Sequence, residues 1–206
     1  MTMPETLLRE LNHRVKNNFQ IIVSLMNLKM RMLPPDKRED IRFLQEHVQC
    51  MAVAVRLVYA TDEMGEVSVG ELLGEVVSEL RQIARLGSEQ IRLSGADVRE
   101  TLGLDLAIAF GLYLAVMLPP YMDQARLSGR RLRVSACIED GLLTLSIAGG
   151  SAGPIALDVL RTRLSHAYLR QLHGEPLALT EDADVCVRLP IDQPRPSADL
   201  LADVDT

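Results

Sequence analysis

Two adjacent prolines, Pro34-Pro35, set what this chain can fold into. A helix interior tolerates neither, because proline lacks the amide donor and its ring clashes with the carbonyl four residues back. Before the break, from about Pro4 to Leu33, the apolar seats Leu8, Leu11, Val15, Ile22 and Leu25 follow a 3-4 spacing, with Asn18 in one seat. After it the pattern restarts at Asp36 or Lys37. Ile41, Leu44, Val48, Met51, Val55 and Val58 then keep the same alternation to about Ala60. The spacing predicts two heptad-like helices, and the short loop predicts an antiparallel hairpin. A lone hairpin cannot bury both seams. Pairing of two copies into a four-helix bundle is the expected solution, with packing of both helices on the rest of the chain as the alternative. Asn18 fits a residue that sets register within the seam or lies at its edge.

Beyond Val67 the pattern changes. Val69 to Ala84 reads as an amphipathic helix and Gln90 to Leu93 as a short strand. Leu104 to Leu118 reads as a mostly buried helix, stopped by Pro119-Pro120. Arg131 to Ile138 and Leu142 to Ile147 alternate around Asp140-Gly141, a hairpin signal. Leu157 to Leu172 is a further helix, followed by strands at Leu177 to Leu179 and Asp184 to Leu189. The expected class is α+β: a helical hairpin over 1–62, a two-layer α/β sandwich over 66–190, and an acidic, disordered tail over 191–206.

Composition narrows function. Aromatics are 3% with no Trp, and the net charge is −6, which argues against a nucleic-acid binder built on stacking and a basic surface. Cys50, Cys137 and Cys186 form no CxxC pair and read as thiols of a reducing cytoplasm, not as a disulfide frame or zinc site. The longest apolar run, Leu106 to Leu118, is too short to span a bilayer. A cytoplasmic protein without a membrane partner is expected.

The densest polar group lies on the first helix, from Asn12 to Asn18. At 100° per residue Arg9, Glu10, His13, Lys16, Asn17, Gln20 and Ser24 share one face, opposite Leu8, Leu11, Val15 and Ile22. His13 is therefore expected at the surface. A neutral imidazole with a pKa of about 6.5 is a competent nucleophile. Residues 1–33 carry five basic and two acidic side chains, so the first helix is +3 against −9 for the remainder. A phosphoryl group on His13 would meet stabilising charge there. By spacing alone, a solvated face that merely contains a histidine is the simpler reading.

The full string weighs more than the spacing. Leu7 to Ile22, with its His13-Arg14-Val15-Lys16-Asn17-Asn18 core and the following Ser24-Leu25-Met26, closely resembles the phosphoacceptor helix of the HisKA_2-type, HWE-related sensor histidine kinases. Weaker likeness continues through Met51-Ala52, Val58-Tyr59, Val69 to Leu80, Leu104-Asp105, Gly111-Leu112 and Leu169 to Gly174. The resemblance implies a dimeric hairpin, an ATPase-like sandwich, and His13 as the phosphorylated residue.

Departures from the family pattern fall on the nucleotide site. Where the family carries Asn-Glu and then an Asn that helps hold Mg²⁺, this chain has Ala115-Val116 and Pro120. Asp123-Gln124 replaces Lys-His, and Ala148 stands where the adenine-binding Asp would lie. Mg²⁺ takes oxygen ligands, which the side chains at 115, 116 and 120 do not offer. Gly149, Gly150 and Gly153 read as a turn as readily as a phosphate loop. The favoured expectation is therefore a degenerate family member: a dimeric histidine phosphotransfer protein that binds no cofactor itself. His13 is the carrier, with Arg14, Lys16 and Asn17 around the phosphoryl group and Arg9, Glu10, Gln20 and Ser24 toward a partner. That partner would be a response-regulator receiver domain supplying its own aspartate and Mg²⁺, with an upstream sensor kinase as a further candidate. A divergent active kinase and a non-enzymatic dimeric adaptor are the alternatives. His47 reads as a surface or packing residue, and His173-Gly174 as a helix end.

Overall fold

A computed structural model describes residues 3–34, 37–60, 65–151, 153–178 and 183–191, with side chains from residue 14 onward except residue 16. The expected tail beyond residue 191, and Pro35 and Asp36 of the break, lie outside the described residues.

The hairpin consists of α1 (Met3–Met32) and α2 (Arg38–Val58). The Arg38 guanidinium donates to the Leu33 carbonyl at 2.9 Å, tying the two ends across the break. In α1 two apolar stripes run side by side. Phe19, Val23, Met26 and Met30, with Leu33 just past the helix end, are half-buried at 4-3-4-3 spacing, whereas the expected seam residues Val15, Ile22 and Leu25 are 37%, 40% and 60% exposed. The seam read from the sequence is thus the outer stripe of α1. The half-buried stripe was missed because both fit helical spacing.

Helix α2 is divided in the same way. Glu46, Cys50, Val53, Ala54 and Leu57 are buried, and α2 packs on α3 (Val69–Ala84) and α4 (Leu104–Ser128) of the same chain. Cys50, Val53, Ala54 and Leu57 belong to one hydrophobic cluster with Leu72, Phe110 and Leu145. Packing on the remainder of the chain, the alternative to pairing, therefore holds for this side of α2. Toward the other side Leu44 is 48% exposed.

Two sheets complete the molecule. Strand β1 (Glu66–Ser68) pairs antiparallel with β3 (Thr101–Gly103), both too short for any alternation to show in sequence. The main sheet has the order β2-β4-β5-β7-β6, with β2 (Ile91–Ser94) parallel to β4 (Leu132–Glu139) and the other neighbours antiparallel. Asp140 and Gly141, both at positive φ, turn β4 into β5 (Leu142–Gly149), as the hairpin signal predicted. Helix α5 (Val159–Gln171) ends at His173, also at positive φ, and the Gly174 amide closes on the Leu169 carbonyl at 2.8 Å. That tight end brings the chain straight to β6 (Glu175–Pro176), two residues before the expected Leu177. The Leu177 amide still donates to the Cys186 carbonyl of β7 (Val185–Pro190) at 2.9 Å.

The largest departure from expectation is α4. The helix does not stop at Pro119-Pro120 but continues to Ser128. Each proline deletes one i to i−4 hydrogen bond, and Pro120 deletes the donor to the Val116 carbonyl. The Arg161 guanidinium of α5 supplies a substitute, donating to that carbonyl at 3.1 Å. Fourteen residues of α4 are buried, so packing outweighs the proline penalty of roughly 3 kcal/mol. The same helix is long and apolar enough to cross a membrane, but 67% of its apolar window is buried within this fold.

Arg161 is only 8% exposed. Arg161→Leu is expected to lower unfolding stability by about 3 kcal/mol in urea titration, because it removes one partner of a buried ionic contact and the cover of the Val116 carbonyl. Arg161→Lys should recover only part. A change within about 0.5 kcal/mol for Arg161→Leu would show that α4 needs no such support.

Candidate functional site

The sequence-predicted residues all fall on α1. The positions of Arg9, Glu10, His13 and Lys16 are helical, while their side chains lie outside the described residues. Helical register sets position 13 one turn before Asn17 and two before Gln20. Arg14, Asn17, Gln20 and Ser24 are exposed. Asn17, Gln20 and Ser24 border a shallow depression whose other walls are Ile21, Leu25 and Leu28. These three apolar side chains are 58%, 60% and 56% exposed. The wheel showed the polar side of this face and missed its apolar part. The signal was present as the 4-3-4 run 17-21-24-28. Asn27, three residues beyond Ser24, accepts a hydrogen bond from Gln45 of α2 at 3.1 Å and so helps close the hairpin.

A second cluster joins α2, α4 and α5. The Arg42 guanidinium donates to both oxygens of Asp123, one at 3.1 Å, and lies 3.1 Å from Glu39. Its Nε is 3.3 Å from Glu46 Oε1. From the other side, Arg161 Nη2 lies 3.6 Å from Glu46 Oε2 and its Nε 3.7 Å from Asp158. The guanidinium also stacks over the Phe43 ring, 4.9 Å from its centre. Glu46 is 1% exposed. Neither its Oε2 nor Arg42 Nε has a hydrogen bond of good geometry. Burial pushes the Glu46 carboxyl up to about 7, against the opposing pull of Arg42 and Arg161. Beside the cluster, half-buried His47 packs against Phe43 with ring centroids 4.2 Å apart and planes tilted by 45°, and burial lowers its pKa. It is a packing residue.

This cluster occupies the face of α4 on which the family resemblance sets the metal-holding residues. Ala115 and Val116 are fully buried, and the Val116 carbonyl is taken by Arg161. Asp123 gives both oxygens to Arg42. A Mg²⁺–nucleotide group does not fit these residues: the side chains at 115, 116 and 120 offer no oxygen, and the nearest carboxylates are engaged by arginines. On β5, Ala148 is 6% exposed and offers only a methyl group. Gly149 and Gly150 both have positive φ. A Cβ at Gly149 would meet the Arg131 carbonyl at 2.5 Å, so these glycines serve the turn. One carboxylate near this turn escaped the sequence reading. Asp184 accepts the Gly149 amide at 2.9 Å, and a lone Asp at the start of a predicted strand carried no signal for it.

The family model of HisKA_2, a histidine kinase family, matches residues 10–84. No curated protein gives a sequence match. Among solved structures, the chain is similar to the histidine kinase domain from the Erythrobacter litoralis EL346 blue-light activated histidine kinase. The TM-score is 0.59 at 18% identity, covering 89% of this chain and 93% of that domain. It is also similar to the longer Erythrobacter litoralis EL346 blue-light activated histidine kinase, with a TM-score of 0.61 at 19% identity. That match covers 93% of this chain, which spans 61% of the longer protein. At these identities the likeness establishes the fold, a helical region followed by a kinase-like α/β part.

The Glu46 carboxyl supplies a pH test. Its folded-state pKa is raised, so its contribution to stability is complete below the unfolded value and is lost as pH rises through about 7. Lowering the pH from 8 to 6 is expected to stabilise the wild type relative to Glu46→Gln by about 1.4 kcal/mol. Paired thermal melts read this as a difference that changes with pH; parallel curves for the two proteins would contradict it.

Proposed function

Because the chain is a relative of the HisKA_2 histidine kinases over residues 10–84 and carries a histidine-kinase fold, we propose that it is a dimeric histidine phosphotransfer protein of two-component signalling. The observation that carries this reading is the arginine–carboxylate cluster on the face where Mg²⁺ and nucleotide would be held. A protein of this kind needs an accessible histidine and a docking surface, but no nucleotide.

In the proposed reaction, a neutral His13 nitrogen attacks the phosphorus of a phospho-aspartate on a receiver domain. The new P–N bond forms as the P–O bond to the aspartyl carboxylate breaks, and the carboxylate leaves with the electron pair. The reverse step passes the group to a second receiver. The receiver supplies the aspartate and its Mg²⁺. Arg9, Arg14 and Lys16 offset the phosphoryl charge, Asn17 orients it, and Glu10, Gln20 and Ser24 contact the partner. Ile21 and Leu28, exposed beside Gln20 and Ser24, add the apolar centre that a specific docking surface needs.

The outer stripe of α1 supports self-association. Val15, Ile22, Leu25 and Met32 are all exposed, Met32 by 74%, and Leu44 of α2 joins them. A second copy packing along this stripe would complete a four-helix bundle and bury it. In this reading the chain acts in the cytoplasm, where receiver domains are available.

Transfer from a phosphorylated receiver should label the wild-type protein and leave His13→Ala unlabelled. Label arriving from ATP and Mg²⁺ with no donor protein would instead identify an active kinase. Failure with every receiver and kinase donor would identify an adaptor. For the dimer, light scattering should give twice the chain mass for the wild type and the single-chain mass for Leu25→Glu, because a charge in an apolar seam is left unpaired. A wild type that runs at the single-chain mass would refute the bundle.

A further inference from the structure

A cavity of about 440 Å³ opens between α4, α5 and β7, a volume suited to a small organic molecule. It is separate from the α1 face and unused by the proposed transfer. Its inner wall is deeply buried and mainly apolar: Met117, Leu169 and Val187 are 8%, 7% and 3% exposed.

Among the described residues, one polar group on that wall has no hydrogen-bond partner. Tyr113 is 2% exposed and lines the cavity. Among the described residues its hydroxyl makes no hydrogen bond. Tyr121, two helical turns on, shows the ordinary arrangement, its hydroxyl accepting the Ile155 amide at 3.2 Å. A buried tyrosine hydroxyl normally finds a partner, and the cavity that Tyr113 lines offers the place for one. Asp184 lines the same space. Its Oδ2 accepts from Gly149, which leaves the second oxygen as an acceptor. At the rim, His166 and Arg170 stand one turn apart on α5, both exposed. Neither joins an ion pair among the described residues.

We propose that this cavity binds a small aromatic acid with a hydroxyl at the end remote from its carboxylate. The ring lies against Met117, whose thioether favours aromatic contact, and against Leu169. The remote hydroxyl accepts from Tyr113 and donates to Asp184. The carboxylate pairs with Arg170 at the rim, where a bidentate contact is available. A rigid ring holds two polar ends at fixed separation with little entropy to lose on binding.

Calorimetry on the full chain tests this with three probes: para-hydroxyphenylpropionate, phenylpropionate, and para-hydroxyphenylpropanol. The first is expected to bind best. Loss of the hydroxyl or of the carboxylate should each weaken binding about tenfold. Tyr113→Phe should abolish the preference for the hydroxyl, and Arg170→Gln the preference for the carboxylate. Met117→Trp, which fills the cavity, should abolish binding of all three. Circular dichroism and thermal melts establish that each variant is folded. If Met117→Trp fails to fold, the two selective variants decide alone. Equal affinity for the three probes, or no binding at millimolar concentration, would overturn the proposal. Tighter binding of AMP, lost in Tyr113→Phe, would overturn it by making the cavity a nucleotide site. None of these readouts depends on phosphoryl transfer, so the two proposals fail separately.

Discussion

Arg161 is the contact on which the arrangement of helices depends. Its guanidinium reaches from α5 to the Val116 carbonyl that Pro120 leaves without a donor, and to Glu46 on α2. One side chain therefore does three things. It covers the carbonyl that Pro120 frees in α4, it anchors α5 against that helix, and it draws the second hairpin helix onto the sandwich. Arg42 repeats the connection from α2 to Asp123. Isolated, such buried charges would be costly; here each guanidinium meets more than one acceptor, which offsets desolvation. Hydrophobic packing of Cys50, Val53 and Leu57 with the α3 and α4 side chains then makes the junction part of a single core.

The consequence for function follows from position. The face of α4 that would meet a metal–nucleotide group is committed to holding helices together. A mixed surface is exposed on α1, where polar Asn17, Gln20 and Ser24 alternate with apolar Ile21 and Leu28. Such a mixture suits a protein partner, with apolar groups supplying area and polar groups supplying orientation.

Much of this was legible in the residues. The two hairpin helices, the α3 limits, the Asp140-Gly141 turn and the His173-Gly174 helix end all follow from local rules. Periodicity, φ preferences and capping act over a few residues and leave a direct trace. The candidate site was legible as a helix face and as a motif. Its apolar members were not, because Ile21 and Leu28 satisfy the spacing of a core as well as that of a docking surface. The stop expected at Pro119-Pro120 failed for a related reason. Helix breaking by proline is a local penalty, and the burial and the Arg161 contact that overcome it come from elements distant in sequence.

The sequence by itself determined the sequence of elements, the class of fold, the surface-directed polar face around position 13, and the lack of oxygen ligands at 115, 116 and 120. These depend on composition and spacing along one segment at a time. Only the tertiary structure decided which stripe of α1 meets α2, which side of α2 enters the core, and that Arg42 and Arg161 close around Glu46. It alone also enclosed the Tyr113 hydroxyl in a cavity. Each of these is a contact between segments far apart in the chain, and its energy depends on burial and mutual geometry that no local pattern encodes.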